Sequence, residues 1–248
     1  MASPRGRAWV LGLTLLPVTA LSGLGLRPAA AQERTLLEET FGGKEPGSRP
    51  GPWVYFADEG NEAVVAEAPD LPGSCLRLTR SGGTVWKPMV SGWASGEADS
   101  PLQLELDWYL PALSEGEDPV LFVTIRGDGN IGTVTVALGG PGGVAVPQGG
   151  GEWAPLGFPL RAGVWGRLVV KTDPISRRAE GAFDVTVSQG DERAEYPNIP
   201  FRPNWQGDHA AELWHSPTFQ VGGGSPERPR EAHLRNVKLS TASPREFR

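Results

Sequence analysis

The chain has 248 residues, a formal net charge of −6 and 39% hydrophobic residues, with 34 Gly and 24 Pro. The apolar content excludes a disordered chain. The large numbers of Gly and Pro exclude a fold built on long helices. The acidic balance argues against nucleic acid and anionic membranes as partners, because both carry negative charge themselves.

The first 31 residues have the pattern of a signal peptide. Two arginines precede the uncharged, mostly apolar run Ala8–Leu26, and Ala29-Ala30-Ala31 offers small residues for cleavage before Gln32. We therefore predict a secreted protein, periplasmic or extracellular, with no transmembrane segment after cleavage. An uncleaved membrane anchor is the alternative, since the uncharged run approaches the roughly 20 residues that span a bilayer.

Short runs of alternating apolar residues, separated by Gly, Pro, Asp and Asn, predict strands in the remaining sequence. In the N-terminal half these runs lie at Leu36–Phe41, Val54–Phe56, Ala63–Ala66 and Cys75–Thr79. Cys75 is the only cysteine, so an intrachain disulfide is excluded. We expect its thiol to be buried and inert, which is the usual state of a lone cysteine in a strand.

The clearest alternation begins at Leu102 and ends at Leu110. Because side chains of a strand point to opposite faces in turn, the apolar members of this run share one face. The other face carries Gln103, Glu105, Asp107 and Tyr109.

Two hairpins are predicted in the second half of the chain. The first joins Val120–Arg126 to Ile131–Leu138 through the tight turn Asp128-Gly129-Asn130. The second joins Val164–Lys171 to an alternating run around Phe183–Val187. The glycine-rich stretch Gly139–Gly151 is predicted to be a loop.

Two more strands are predicted near the C-terminus, at Glu212–Val221 and Leu234–Leu239, with a loop at Gly222–Gly224. No window shows a helical apolar stripe, so the pattern predicts an all-β fold with two packed antiparallel sheets. We expect one β-sandwich domain over residues 32–241 and a mobile tail over 242–248.

The order of five short motifs resembles the concanavalin A-like lectin/glucanase superfamily, especially laminin-G-like jelly-roll domains of secreted bacterial proteins. The resemblance spans nearly all of the chain after the signal peptide and implies a jelly-roll β-sandwich. Its motifs are Glu38-Glu39-Thr40-Phe41, Gly51-Pro52-Trp53, Cys75-Leu76-Arg77-Leu78, Gly163-Val164-Trp165-Gly166-Arg167-Leu168 and Leu234-Arg235-Asn236-Val237-Lys238-Leu239.

Two positions depart from what this resemblance implies. Jelly-roll carbohydrate-binding modules often place an acid before Asn-Val to help hold structural calcium, and Arg235 stands there in this chain. Glucanases of the superfamily carry Glu-x-Asp-x-x-Glu, and Leu110 replaces the last Glu after Glu105 and Asp107. We therefore predict no cofactor, with structural calcium as the alternative. We predict no metal site either, since the three histidines show no close ligand spacing.

Aromatic residues next to carboxylates suit sugar rings, which stack on indoles and donate hydroxyls to acids. One predicted ligand face combines Glu212 and Trp214, with Leu213 pointing inward. The other combines Glu105, Asp107 and Tyr109. No catalytic residue is assigned.

The remaining tryptophans divide by sequence context. Trp108 and Trp165 lie in strand patterns and are expected in the core, whereas others lie in predicted loops. Those in loops are Trp53, Trp93, Trp153 and Trp205.

These features predict a secreted noncatalytic binding module, whose partner is a polysaccharide or another extracellular glycan. Two alternatives remain open at this stage. One is a glycoside hydrolase or lyase acting on polysaccharide through Glu105 and Asp107. The other is a structural or interaction domain of the cell envelope without a small ligand.

Overall fold

Alternating apolar residues produce sixteen strands in the part of the chain that the structure, a computed structural model, describes. The described residues are 33–49, 51–82, 87–116, 118–128, 132–149, 152–201, 213–223 and 228–243. The strands are β1 Thr35–Glu39, β2 Trp53–Phe56, β3 Asn61–Glu67, β4 Ser74–Arg80, β5 Met89–Gly92, β6 Gly96–Glu97, β7 Leu102–Tyr109, β8 Leu121–Gly127, β9 Gly132–Gly140, β10 Gly143–Gly149, β11 Glu152–Pro155, β12 Gly166–Thr172, β13 Ala182–Gln189, β14 Glu192–Pro200, β15 Leu213–Val221 and β16 Arg230–Thr241.

The strands form two antiparallel sheets of eight within the described ranges. Sheet A has the order β14-β13-β12-β7-β16-β4-β3, with β1 also paired to β16. Sheet B has the order β11-β10-β9-β8-β15-β5-β2, with β6 also paired to β15. The predicted two-sheet antiparallel β-sandwich is therefore confirmed.

The core lies between the inner faces of the two sheets. β7 alternates between buried and half-buried residues along its whole length, as its sequence predicts. Trp108 of β7 is fully buried, and Phe219 of β15 packs on Trp53 at 5.8 Å between ring centroids. Burying a large apolar side chain stabilises the fold by about 1.5–3 kcal/mol, so this layer is the main source of cohesion.

Both predicted hairpins are present. β8 pairs with β9, and β12 pairs with β13 without interruption from Gly166↔Gln189 to Thr172↔Phe183. The connection between β12 and β13 contains a short 3₁₀ helix, Ile175–Glu180. This agreement follows from the dense apolar alternation in these four strands.

Two stretches differ from the sequence prediction. Gly139–Gly151 was expected to be a loop, but β10 lies within it and pairs with both β9 and β11. Val144 and Val146 are the residues of β10 that belong to the hydrophobic core. Two apolar residues among glycines are too short an alternation to indicate a strand in the sequence. β14 is an additional edge strand, rich in charge and proline, which are features that protect a sheet edge from pairing with other chains.

The predicted orientation of Trp214 is wrong. Trp214 is fully buried, whereas Leu213 is 41% exposed. A β-bulge between Trp214 and Ser216 adds one residue to β15 relative to β8. A one-residue shift reverses which side chains face the core, so the alternation that holds from Phe219 back to Ser216 no longer applies at Trp214.

The chain ends lie largely outside the described residues. The signal peptide predicted over residues 1–31 and the tail residues 244–248 are in this group. Among the residues that are described, no helix is long and apolar enough to cross a membrane.

Candidate functional site

The outward-facing side chains of sheet A, here called face A, bring together three of the predicted ligand residues. Glu105, Asp107 and Tyr109 are half-buried on β7. Asp107 lies in register with Arg167 of β12 on one side and Arg235 of β16 on the other. Its carboxylate is 3.5 Å from each guanidinium.

The acids of face A are engaged by cations and amides of the protein itself. Arg167 also donates to Glu105 Oε2, so one guanidinium bridges both carboxylates. Asn236 Nδ2 donates to Asp107 Oδ2 at 2.6 Å. The resulting network joins the neighbouring strands β12, β7 and β16, which gives these acids a structural role.

The aromatic residues of face A are also covered. Tyr109 contacts Trp165 at 5.4 Å and His233 at 5.5 Å between ring centroids. Trp165, expected in the core, is half-buried on face A, with the Arg235 guanidinium 4.8 Å from its ring. Its indole nitrogen donates to the Pro69 carbonyl at 2.7 Å. Arg235 therefore occupies an indole surface on which a sugar ring would stack.

Cys75 lies at the margin of face A in a chain of hydrogen-bonding groups. Its Sγ is 3.3 Å from His233 Nδ1, and His233 Nε2 is 2.6 Å from Glu231 Oε1. Burial raises the pKa of the Cys75 thiol to about 11. The hydrogen bond from His233 is the main cause that lowers the pKa of Glu231. The predicted burial of Cys75 is confirmed, and its inertness stays a prediction, since a nucleophile needs access and a thiolate.

The second predicted ligand face is not assembled as expected. Glu212 lies outside the described residues, and Trp214 points into the core instead of outward. Only the group on β7 is brought together, so any ligand role of Glu105, Asp107 and Tyr109 stays a prediction.

The outward-facing side chains of sheet B, here called face B, have a different composition. A row of hydroxyls crosses four neighbouring strands: Ser91, Thr218, Thr124 and Thr135. Ser91 and Thr218 hydroxyls are 3.0 Å apart, and those of Thr124 and Thr135 are 3.2 Å apart. These four side chains are short and uncharged, and those of Thr124, Thr135 and Thr218 are buried.

A cavity of about 500 Å³ lies on face B near the β11 edge. Its floor has the small side chains of Ala137 and Ala145, which alternate with core valines in β9 and β10. Trp153 and Pro155 of β11 line one side, and Glu152 contributes a carboxylate. The volume and the mostly apolar lining with one charged group suit a small-molecule site.

Two aromatic rings of face B meet above this edge of the sheet. Trp153 on β11 and Phe122 on β8 are three strands apart, which is about 14 Å across a flat sheet. Their ring centroids are nevertheless only 5.3 Å apart. The two side chains therefore lean toward each other across β9 and β10, which lie between their strands.

The opposite end of face B carries a cation and an exposed aromatic residue. Arg126 of β8 points outward between the core residue Ile125 and the buried Gly127, and its guanidinium contacts Met89 Sδ at 3.6 Å. Trp93, just beyond β5, is 66% exposed and contacts His215 at 5.5 Å between ring centroids. A backbone hydrogen bond from Ala94 to His215 holds the two segments together.

A second cavity, of about 510 Å³, lies beside Arg228 and Arg230. Arg230 donates to the carbonyls of Pro119 and Gly222 and to the Ser114 hydroxyl. The guanidinium therefore ties loops from both sheets to β16. Within the described ranges, no group of three or more His, Cys, Asp or Glu is placed to hold a metal ion.

Trp153 and Trp53 were both predicted in loops, but they lie in β11 and β2. The signal that could have located Trp153 is the pair of alternating runs Val134–Leu138 and Val144–Val146, each with an alanine facing away from the core. Small residues on neighbouring strands leave space above the sheet, and a nearby aromatic can then form a wall. That the two alanines and Trp153 become neighbours, however, depends on the pairing of β9, β10 and β11.

Neither a protein-family model nor a curated protein matches this sequence. Solved structures with the same fold include a sialidase, which is 13% identical with a TM-score of 0.60 and covers 84% of this chain. This chain spans only 18% of that sialidase. Identities this low establish the fold alone.

Two further solved structures match along most of both chains. A lectin complexed with galactose, UEA-II, is 11% identical, with a TM-score of 0.51 over 86% of this chain and 100% of the lectin. The catalytic domain of a glycoside hydrolase family 131 protein from Coprinopsis cinerea is 11% identical, with a TM-score of 0.51 over 84% of this chain and 95% of that domain. The concanavalin A-like jelly-roll fold is therefore confirmed.

Proposed function

We propose that this protein is a secreted noncatalytic module that binds a polysaccharide or another extracellular glycan through face B. The observation that carries the proposal is the cavity of about 500 Å³ that Trp153, Ala137 and Ala145 line on face B. The fold alone does not decide this, because binding proteins and hydrolases share it.

The chemistry of the cavity matches the two surfaces of a sugar ring. The indole of Trp153 offers an apolar plane beside Pro155 at the cavity. Glu152 at the cavity supplies a carboxylate that accepts hydrogen bonds from sugar hydroxyls. Apolar contact supplies affinity and the few polar groups fix orientation.

The hydrolase alternative receives less support from the geometry. Retaining hydrolysis needs two free carboxyl groups about 5–5.5 Å apart. Arg167 bridges Glu105 and Asp107, so neither carboxyl group is free to act on a substrate. Leu110, which replaces the third acid of the glucanase motif, follows directly after β7 and is fully buried.

A glycan array followed by titration of the best ligand tests the proposal. We expect binding to a polysaccharide class, and we expect Trp153→Ala to raise Kd at least about tenfold, which corresponds to about 1.4 kcal/mol. Trp165→Ala is the matched control, because this tryptophan is half-buried on face A. Thermal unfolding of both variants separates loss of binding from loss of fold.

Two results would contradict the proposal. One is the absence of binding to any glycan by the wild-type protein. The other is equal affinity of Trp153→Ala and wild type together with weaker binding by Trp165→Ala, which would place the site on face A.

A further inference from the structure

The cavity that Trp153 lines, here called the Trp153 cavity, contains a carboxylate that the protein itself leaves unengaged. Glu152 is exposed, and among the described residues none donates a hydrogen bond to its side chain or forms an ion pair with it. The acids of face A differ, because Arg167 bridges Glu105 and Asp107. The carboxylate of Glu152 is therefore available to a ligand.

A β-bulge accounts for the presence of this carboxylate and the Trp153 indole at the same cavity. Adjacent residues of a strand normally point to opposite faces of a sheet. Glu152 and Trp153 are adjacent in β11, yet both line the cavity. β10 has one extra residue opposite this step, since Trp153 pairs with Pro147 and Glu152 pairs with Gly149. Bulges redirect side chains, and this one brings an acid and an aromatic ring to one cavity.

The remaining lining provides no charge to balance Glu152. Of the described residues that line the cavity, Glu152 is the only one with an ionisable side chain. Arg230 donates to the carbonyl of the lining residue Pro119, but its guanidinium also donates to the Ser114 hydroxyl, and Arg230 lines the second cavity. An anionic ligand in the Trp153 cavity is therefore repelled by Glu152, whereas a cationic ligand is attracted.

An ammonium group makes fuller use of this acid and this indole than a hydroxyl does. It donates charge-assisted hydrogen bonds to a carboxylate, and these are roughly twice as strong as neutral ones. Its charge is also attracted to the face of an indole. An amino sugar combines such an ammonium with an apolar ring face that Trp153 can contact. The overall charge of −6 attracts a cationic chain over longer distances.

We propose that the Trp153 cavity takes an amino sugar whose free, positively charged amine is held by Glu152. The ligand of the protein is then a glycan that carries unacetylated amino groups, and not an acidic or wholly neutral one. This inference rests on the proposed glycan-binding function and narrows its substrate class.

Hexasaccharides that share a backbone and differ in one substituent test the inference. A β-1,4-linked glucosamine hexamer carries an ammonium where its N-acetylated form carries an acetamide and the cellulose hexamer carries a hydroxyl. An α-1,4-linked galactosamine hexamer and its N-acetylated form supply a second backbone. We expect the wild-type protein to bind the free amine on at least one backbone about threefold to tenfold more tightly than its uncharged counterparts. Raising the salt concentration should weaken this preference.

Variants then assign the preference to Glu152. Glu152→Gln keeps the shape of the side chain and removes its charge, so it should bring the affinities for the amine and N-acetylated hexamers together. Glu152→Lys should reverse the preference. Glu192→Gln is the matched control, because Glu192 is likewise the exposed first residue of a terminal strand, β14 of sheet A. Both glutamates are exposed, so we expect unchanged thermal unfolding in all three variants.

The outcomes separate this inference from the proposed function. A wild-type protein that prefers the free amine on neither backbone overturns the inference, and glycan binding on the array then stands by itself. Equal loss of affinity for every hexamer in Glu152→Gln also overturns it, since the carboxylate then accepts from neutral hydroxyls. A preference that Glu192→Gln weakens as much as Glu152→Gln does reflects the overall charge and overturns it too. Absence of binding to any glycan removes both proposals together.

Discussion

Face A and face B are both outer faces of eight-stranded sheets, yet they distribute polar groups in different ways. Face A pairs acids with arginines across strands, and Asp107 alone contacts Arg167, Arg235 and Asn236. Face B carries hydroxyls and alanines over most of its width. Charged rows on neighbouring strands therefore satisfy one another on face A, whereas the hydroxyls of face B pair with each other and the space for a ligand is the cavity beside Trp153.

The comparison shows why acids and aromatics in one strand are a poor guide to a binding site. On β7, Glu105, Asp107 and Tyr109 resemble a sugar-binding set. The strands next to β7 supply the partners that occupy them, and these partners come from distant parts of the sequence. On face B, Ala137 and Ala145 line a cavity of about 500 Å³. Because they are small and uncharged, a search of the sequence for acids beside aromatic residues does not find them.

The largest loss of stability is expected at Trp214. The sequence predicted this side chain on an outer face, whereas the bulge in β15 directs it into the core. Trp214→Ala removes a fully buried indole and should lower the free energy of unfolding by about 3–5 kcal/mol. Urea unfolding measures this change. Trp93→Ala is the comparison variant, because a 66% exposed side chain should cost only about 0.5 kcal/mol. Equal costs for the two variants would show that Trp214 lies outside the core.

Trp214 also shows where prediction from the sequence stops. Period-two alternation predicted β7 and both hairpins correctly. Their inward-facing apolar residues must be buried together, and this requirement is visible in the sequence of each strand. The bulge in β15 adds one residue that alternation cannot count, since it is defined by pairing with β8. Beyond the bulge, side chains that alternation assigns to solvent face the core, and those it assigns to the core face solvent.

The candidate site was harder to predict than the fold for a related reason. Trp153 is separated from Phe122 by 31 positions of sequence that include the glycine-rich stretch. Their contact depends on three strand pairings, β8 with β9, β9 with β10 and β10 with β11. A single strand pattern contains none of this information.

A smaller effect is expected at Asp107, and it distinguishes the two faces directly. Asp107→Ala leaves Arg167 and Arg235 facing each other without the shared carboxylate, and should destabilise the protein by about 1–2 kcal/mol. Chemical unfolding gives the stability and glycan titration gives the affinity. Loss of affinity without loss of stability would reverse the comparison and make face A the binding surface, as the sequence suggested.

The smallest effect is expected at Glu231, whose carboxylate is about one-third exposed beside His233. Its folded pKa is lowered, mainly by the hydrogen bond from His233, so the carboxylate stabilises the fold at pH values above its ordinary pKa. That contribution is lost as the pH falls through the lowered folded pKa. Glu231→Gln should therefore cost about 1 kcal/mol at pH 7 and progressively less in acid, as followed by urea unfolding between pH 7 and pH values below about 4. A cost that does not change with pH would mean that packing of the side chain, and not its charge beside His233, stabilises this margin of face A.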